Sequence, residues 1–421
     1  MTVDWPTVEI SEACELIIDC VNKTAPVVEG PTPYKMIRTT NVRDGWVDTT
    51  NVRYVDEEIY VKWVRRGTPK NGDVILTREA PLGEVGLLRD ASGVFLGQRL
   101  VMYRAAPEKL DNKFLLYSLL HHDLQGQIKA FGSGSTVEHM RVPDCEKLLL
   151  RLPPLKTQHK IASILSAYDD LIENNTRRIK ILEEMAQAIY REWFVNFRFP
   201  GHEQVKMVDS PMGEIPEGWE IATVQDSFEI LGGGTPSKKE PAYWDDGIIN
   251  WYSPTDLTSK KTLFMDDSAV KITALGLKKS SARIFPAYSV MMTSRATLGV
   301  IAINTTEACT NQGFITCLPN DIFPLYMLYH WLQENVDKFI SLASGATFKE
   351  ITKGVFKTIE LAVPPTELSR RFEEIVSSLG AQLLNLQRKN LNLRQTRDLL
   401  LPRLVSGEID LSDLEIENKT A

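Results

Sequence analysis

The sequence predicts two homologous mixed α/β (α+β) modules separated by two long helices that form an antiparallel coiled coil, the whole pseudo-two-fold symmetric. Three observations predict it: an internal repeat kept in order, a Pro-Pro helix start at matching places, and a heptad pattern after each start. The boundaries fall at 1–152 for the first module, 153–200 for the central helix, 201–363 for a linker and second module, and 364–421 for the C-terminal helix and tail.

The repeat comes first. Thr77-Arg-Glu-Ala-Pro-Leu-Gly83 recurs as Thr293-Ser-Arg-Ala-Thr-Leu-Gly299. Trp5 matches Trp219, Gln98 matches Gln312, and the run Phe114 to Leu120 matches Tyr326 to Leu332. Ser133 to Thr136 matches Ser344 to Thr347, and Leu152-Pro153-Pro154 matches Val363-Pro364-Pro365. The offset falls only from 216 at Thr77 to 211 at Ser133, always in the same order, which chance similarity does not produce. Within each copy, Asp73 to Thr77 and Val94 to Gly97 predict strands. Leu115 to Phe131 and Leu325 to Ile340 predict amphipathic helices. Gly201 to Gly218, with its prolines and glycines, predicts a linker.

Proline suits the first turn of a helix and forbids the turns before it, so long helices are predicted from Leu155 to about Arg198 and from Thr366 to about Val405. Both carry a 4-3 apolar seam. It runs from Ile161 through Leu165, Tyr168, Ile172, Asn175, Ile179, Leu182, Ala186 and Ile189 to Trp193. Its counterpart runs from Phe372 through Val376, Leu379, Leu383, Leu386, Asn390, Leu393, Arg397 and Leu400 to Leu404. Matching the seam ends in antiparallel sense, Ile161 with Leu404 and Trp193 with Phe372, sets Asn175 opposite Asn390. Tyr168 then faces Arg397, a second semi-polar layer in which the guanidinium could stack on the ring. A single polar layer fixes register because a slip by one heptad strands each amide against aliphatic neighbours. About 33 seam residues make a rod of roughly 50 Å.

Composition narrows the class. No apolar run approaches the roughly 18–20 residues that span a bilayer, and the acidic N-terminal stretch lacks a basic-then-apolar signal pattern. A soluble cytoplasmic protein is expected. The five cysteines, Cys14, Cys20, Cys145, Cys309 and Cys317, are odd in number and never form C-x-x-C, so reduced thiols are expected. Residues 1–152 carry 19 Lys+Arg against 21 Asp+Glu, and residues 201–363 carry 14 against 19. Neither half holds nucleic acid by overall charge. Clusters exist at Lys62, Arg65, Arg66 and Lys70 and at Lys278, Lys279 and Arg283, each ordinarily a solvated face. Any DNA binding by the isolated chain should be weak.

No catalytic constellation emerges. There is no G-x-x-x-x-G-K-[ST] and no H-E-x-x-H. Gly132-Ser-Gly134 lacks the third glycine of a dinucleotide loop and follows a helix, so it predicts a turn. His121 and His122 are expected on a helix surface, with no cysteine or third histidine nearby in sequence. Asp169, Asp170, Glu183 and Glu184 are expected on the long helix outside the seam, in solvent. No catalytic or metal-binding residue is nominated.

Two α/β modules, each followed by a Pro-Pro-initiated helix, resemble the specificity subunits of type I restriction–modification enzymes. The residues that carry the resemblance are Gly134 to Thr136, Arg151 to Leu155, Gln158 to Leu165, Trp193 to Gly201, and Leu399 to Glu408. It covers essentially the whole chain. It implies that each module is a target-recognition domain reading one half of a split double-stranded DNA site. It also implies that two methyltransferase subunits dock on the helices and that restriction/translocase subunits can join them. S-adenosylmethionine, ATP and Mg²⁺ would then sit on those partners, and the chain itself would be non-catalytic. With the rod length above, half-site centres should lie about one helical turn or slightly more apart. A methyltransferase fused to its reader would need an Asn-Pro-Pro-aromatic loop, and no Asn-Pro occurs here. A protein-only coiled-coil adaptor would leave the two modules unexplained. Comparing DNA binding with and without partner subunits separates the three.

Loop residues that differ between copies within repeated framework are the candidates for base contact. These are Arg78, Glu79, Arg99, Thr136 and His139 in the first module, and Ser294, Arg295, Gln312, Thr347 and Lys349 in the second. Phe348-Lys349 stands where the first copy has Val137-Glu138, so the two loops should read different bases.

Overall fold

The computed structural model describes residues 5–132, 138–345, 349–412 and 414. Packing divides the chain into two units, residues 1–173 with 392–421, and residues 174–391, so each long helix lends part of its length to each.

In the first unit a six-stranded sheet runs in the order Cys14–Asp19, Leu100–Ala105, Val74–Arg78, Leu82–Leu87, Gly45–Val47, Val42–Arg43. Val74, Ile75 and Leu76 are all fully buried, as expected of a central strand covered on both faces. A smaller sheet sets Tyr34–Ile37 between Arg53–Val55 and Val94–Leu96, the last pairing parallel. The second unit repeats this plan. Its five strands run Ile230–Gly232, Phe314–Cys317, Val290–Thr293, Ile301–Asn304, Phe264–Met265, and a three-stranded sheet sets Ile249–Tyr252 between Val270–Ile272 and Ala308–Thr310.

The helix expected after these strands is broken in both copies. Asn112–Leu120 is followed by His122–Phe131, and Leu325–Glu334 by Val336–Leu342. His121 takes an extended conformation and its Nδ1 accepts the Asp123 N–H at 3.2 Å, capping the second helix. It is 3% exposed, so the expected surface position holds for His122 alone. The apolar periodicity continues through the break, which is why sequence does not mark it. The expected linker is also more ordered than its composition suggests. Met207–Ser210 and Gly213–Pro216 form a hairpin that buries Ile215 next to Trp219.

The long helices begin where the prolines place them, at Leu155 and Thr366. Gln158 is fully buried and fastens the first start: it donates to the Lys109 and Pro153 carbonyls and accepts the Asp111 N–H. The second helix ends at Val405, as expected, but the first is α-helical only to Tyr190. Arg191–Val195 form a π turn, and the backbone leaves the helix before Arg198. The wider turn lets the adjacent Trp193 and Phe194 both enter the core, where each ring meets Phe372.

Within the first unit, Ile161 and Leu165 pack with Leu401 and Leu404. Arg397 does not stack on Tyr168. Its guanidinium binds Asp169 at 2.6 Å and Asp398 at 2.8 Å, and Asp169 also accepts the Tyr117 hydroxyl at 2.6 Å. Asp169 is therefore a half-buried ligand of its neighbours, not the solvated acid expected. A buried salt link outcompetes stacking because the carboxylate needs a counter-charge once it leaves water. Asp170 and Glu173 bind Arg89, whose guanidinium lies 3.9 Å over the Trp46 ring.

Within the second unit, Asn175 Nδ2 donates to Asn390 Oδ1 at 2.9 Å, and Asn390 Nδ2 donates to the Thr176 hydroxyl at 3.2 Å. Both asparagines are buried, and Trp193 meets Phe372 in the same register. Asn390→Leu is expected to cost ~1–3 kcal/mol by stranding the Asn175 amide. Asn175→Leu/Asn390→Leu should recover much of it, since neither amide is then left unpaired and the Thr176 hydroxyl loses only a donor to it. Denaturant midpoints decide. A double variant no more stable than Asn390→Leu would mean that the amides are not coupled.

The second long helix also grips its own module. Glu373 accepts the Tyr326 N–H through both oxygens, at 3.0 and 3.3 Å, capping the helix Leu325–Glu334. Two turns further on, Gly380 makes room for Tyr326: a Cβ there would lie 1.9 Å from the phenol oxygen. This contact explains a glycine inside a 40-residue helix, where it costs about 1 kcal/mol against alanine.

Candidate nucleic-acid interface

The nominated residues do not scatter. In each module three segments meet at one edge. The first is the turn of the central hairpin, closed by a threonine. Thr77 Oγ1 donates to the Pro81 carbonyl and accepts the Glu84 N–H, and Thr293 Oγ1 donates to the Thr297 carbonyl and accepts the Val300 N–H. Ala80 and Ala296 both hold positive φ (52° and 62°), followed by Gly83 and Gly299 at 92° and 88°. The same strained turn is built twice, so its shape is framework and its side chains are free to differ.

The second segment is the turn after the inner strand. Gly97 N–H binds the Ile37 carbonyl and Arg78 N–H binds the Arg99 carbonyl. Asn311 N–H binds Tyr252 and Ser294 N–H binds Gly313 in the same way. The third segment follows the loop: Met140 N–H reaches the Arg78 carbonyl, and Ile351 N–H reaches the Ser294 carbonyl. These bonds pair Arg78 with Ser294, Arg99 with Gly313, and Met140 with Ile351 as repeat equivalents.

On this edge the first module brings Glu79, Arg99 and His139 together. Arg99 lies 3.4 Å from the Glu79 carboxylate, and Glu79 bridges His139 through the backbone. The second brings Arg295 and Lys349 together, with Arg295 3.8 Å from Glu350 and Lys349 exposed. Gln312 is exposed and accepts the Thr235 hydroxyl at 2.6 Å. Two nominations need correction. Arg78 is half-buried and donates through Nη1 to the Met140 carbonyl at 2.8 Å, holding the third segment in place, while its Nε is buried without a hydrogen-bond partner among the described residues. Ser294 is 3% exposed and lies beneath the edge, because its position in the ladder points it inward. Thr136 and Thr347 lie outside the described residues, as do most of the two loops expected to differ.

Sequence reasoning missed the threonine clamp. Thr24 donates to Gln98 Oε1 at 3.1 Å as Thr235 does to Gln312, so both modules hold a glutamine with its NH₂ turned away from the clamp. The repeated glutamine was a visible signal; its distant threonine was not. Of the basic clusters, Lys62 and Arg66 are already paired with Glu58 and Asp19, while Lys278, Lys279 and Arg283 are exposed.

Other chemistry is thin among the described residues. His121, His122 and Asp123 place three donor atoms within 4.8 Å of one another. His121 Nδ1, however, already accepts a backbone N–H, and the group caps a helix N-terminus, where a cation is repelled. All five cysteines are free. Burial raises the Cys145 thiol to about 11 and those of Cys14 and Cys309 to about 12, so none of these three offers a thiolate at neutral pH. No helix among the described residues is long and apolar enough to cross a membrane.

Two homologous modules on paired long helices, each offering the same polar three-segment edge with different side chains, have the architecture of a tandem recognition protein. The family model described as a type I restriction modification DNA specificity domain matches residues 2–184 and again 216–393, and the chain belongs to that family. It is 24% identical over 366 residues to the type I restriction enzyme MjaIX specificity subunit of Methanocaldococcus jannaschii, covering 86% of this chain and 83% of that protein. It is 26% identical to the HindI specificity subunit of Haemophilus influenzae, covering 70% and 77%. The crystal structure of the type I restriction–modification S subunit from M. genitalium shares the fold, with a TM-score of 0.58 at 18% identity over 96% of each chain.

Proposed function

We propose that the chain is the sequence-reading subunit of a type I restriction–modification complex, each module reading one half of a bipartite duplex DNA target. The observation that carries this is a single edge built twice on the same hydrogen bonds, with different side chains displayed on it. Such a scaffold presents two readers of related shape and separate specificity. The paired helices are the docking surface for two methyltransferase subunits, and restriction/translocase subunits join through them. S-adenosylmethionine, ATP and Mg²⁺ belong to those partners, which also supply phosphate contacts that a chain of net charge −7 lacks. The assembly works in the cytoplasm, on DNA sites whose two halves are separated by unspecified bases.

The test is a module exchange. Residues 1–152 are replaced by the corresponding module of another family member, the chain is co-expressed with its partner subunits, and the methylome is sequenced. One half of the methylated motif should change while the other stays as it was. A contiguous motif in the parent, or a change in both halves of the exchange variant, defeats the proposal.

A further inference from the structure

The first module contains a pocket of about 260 Å³ lined by Arg38, Arg53, Arg99, Gln98 and Thr24, among others. Its three guanidiniums come from three elements: Arg38 follows the strand Tyr34–Ile37, Arg53 opens the strand Arg53–Val55, and Arg99 sits in the turn after Gly97. Among the described residues neither Arg38 nor Arg53 makes an ion pair, and Arg38 Nε is buried without a hydrogen-bond partner. Arg99 has Glu79 at 3.4 Å as its counter-charge. Three cations and one carboxylate at one pocket leave an excess of positive charge that a ligand with acceptors would offset.

The second module shows that the scaffold does not require them. The repeated turn pairs Ile37 with Tyr252, which places Ser253 at the position of Arg38. Met36 pairs with Arg53 as Trp251 pairs with Val270, which places Val270 at the position of Arg53. Gly313 stands at the position of Arg99. Arg99 holds φ 71°, a left-handed conformation in which glycine is unstrained and arginine is not. The threonine–glutamine clamp is common to both modules; the arginines belong to one.

We propose that this pocket is the base-reading site of the first module and that it takes the O6/N7 edge of a guanine in the major groove. The pocket is rich in donors: the three guanidiniums and the Gln98 NH₂, whose Oε1 is held by Thr24; the Thr24 and Thr39 hydroxyls are its side-chain groups that can also accept. Guanine is the base whose major-groove edge offers two acceptors and no donor, and the guanidinium fork matches that pair. A backbone phosphate also accepts such donors, but both modules face the same phosphate chemistry, and only one carries the arginines. The inference rests on the DNA-reading function proposed above.

The test uses the full chain co-expressed with its partner subunits and read by methylome sequencing. Arg99→Gly and Arg53→Val install the residues of the second module. Arg99→Gly also relieves the left-handed backbone, so its melting temperature should equal or exceed that of the parent. In each variant one guanine position in one half-site should relax, with discrimination falling roughly 10-fold or more, while the other half-site is unchanged. Arg53→Lys, which keeps the charge but loses the fork, should relax the same position and covers the case in which Arg53→Val fails to fold. Methylation lowered evenly with the motif intact would assign the pocket to phosphate and overturn the inference, as would a motif unchanged in sequence and extent. A parent chain that yields no bipartite motif overturns the DNA-reading function itself, and this inference with it.

Discussion

Replacing Phe372 with alanine should destabilise the second unit by ~3–5 kcal/mol, the largest effect expected of any single truncation here. Phe372 is fully buried, and the rings of Tyr190, Trp193, Phe194 and His330 lie 5.1–6.3 Å from its centroid. Three of these are edge-on contacts, which add to the area they bury. Four large rings cannot collapse into the vacated space without losing those geometries, so most of the cavity should persist. Denaturant unfolding of the full chain, followed through the fluorescence of its eight tryptophans, of which Trp193 touches Phe372, measures it. A loss below about 1 kcal/mol would show that the cluster repacks.

The second large effect is a pH dependence with two opposed limbs in the same unit. Burial raises Glu373 to about 7 from an ordinary 4.5, against the lowering effect of the Tyr326 and Met327 N–H groups. The folded state then holds a proton that the unfolded chain releases, so stability is greatest below 4.5 and falls as pH rises to about 7. His330 runs the other way. Burial lowers it to about 4 from 6.5, so its contribution is present above 6.5 and is lost as pH falls toward 4. Between about 4.5 and 6.5 the two trends oppose each other, and above that the Glu373 limb stands alone. Glu373→Gln keeps an acceptor for Tyr326 and carries no charge. It should be more stable than the parent at pH 8 by ~1–3 kcal/mol once solvent screening is allowed for, with the difference vanishing near pH 4.5. Unfolding midpoints across that range check it. A variant less stable than the parent at every pH would mean that the ionised carboxylate is the better cap.

Much of the frame was legible because its signals are local or periodic. The prolines mark both helix starts to the residue, and the seam arithmetic puts Asn175 against Asn390 because a heptad tolerates no drift. What failed depends on contacts between distant residues. Apolar periodicity runs unbroken through His121, yet a histidine that caps its own next turn breaks the helix there. Arg397 was assigned to Tyr168 by register, but Asp169, one residue away, offers a charge. At the candidate interface, difference between copies located the right turns without telling which side chains face out: Ser294 is buried and Arg78 is tied to a carbonyl. Arg38 and Arg53 were invisible because only the pairing of Tyr34–Ile37 with Arg53–Val55 and with Val94–Leu96 brings them to Arg99.

The first unit is assembled from two stretches of chain that are made far apart in time. Its helix segment to Glu173 is covered by residues 392 onward, so Ile161 and Leu165 must wait for Leu401 and Leu404. The whole of residues 174–391 is synthesised in between, an interval of roughly 10–45 s at 5–20 residues per second. Until then the nascent chain carries a greasy stripe on a finished module, with the Arg397 partner of Asp169 not yet synthesised. The contiguous unit 174–391 can fold as soon as it emerges. The packing of the first unit is therefore completed after that of the second, although its module is made first, and chaperone dependence should concentrate there.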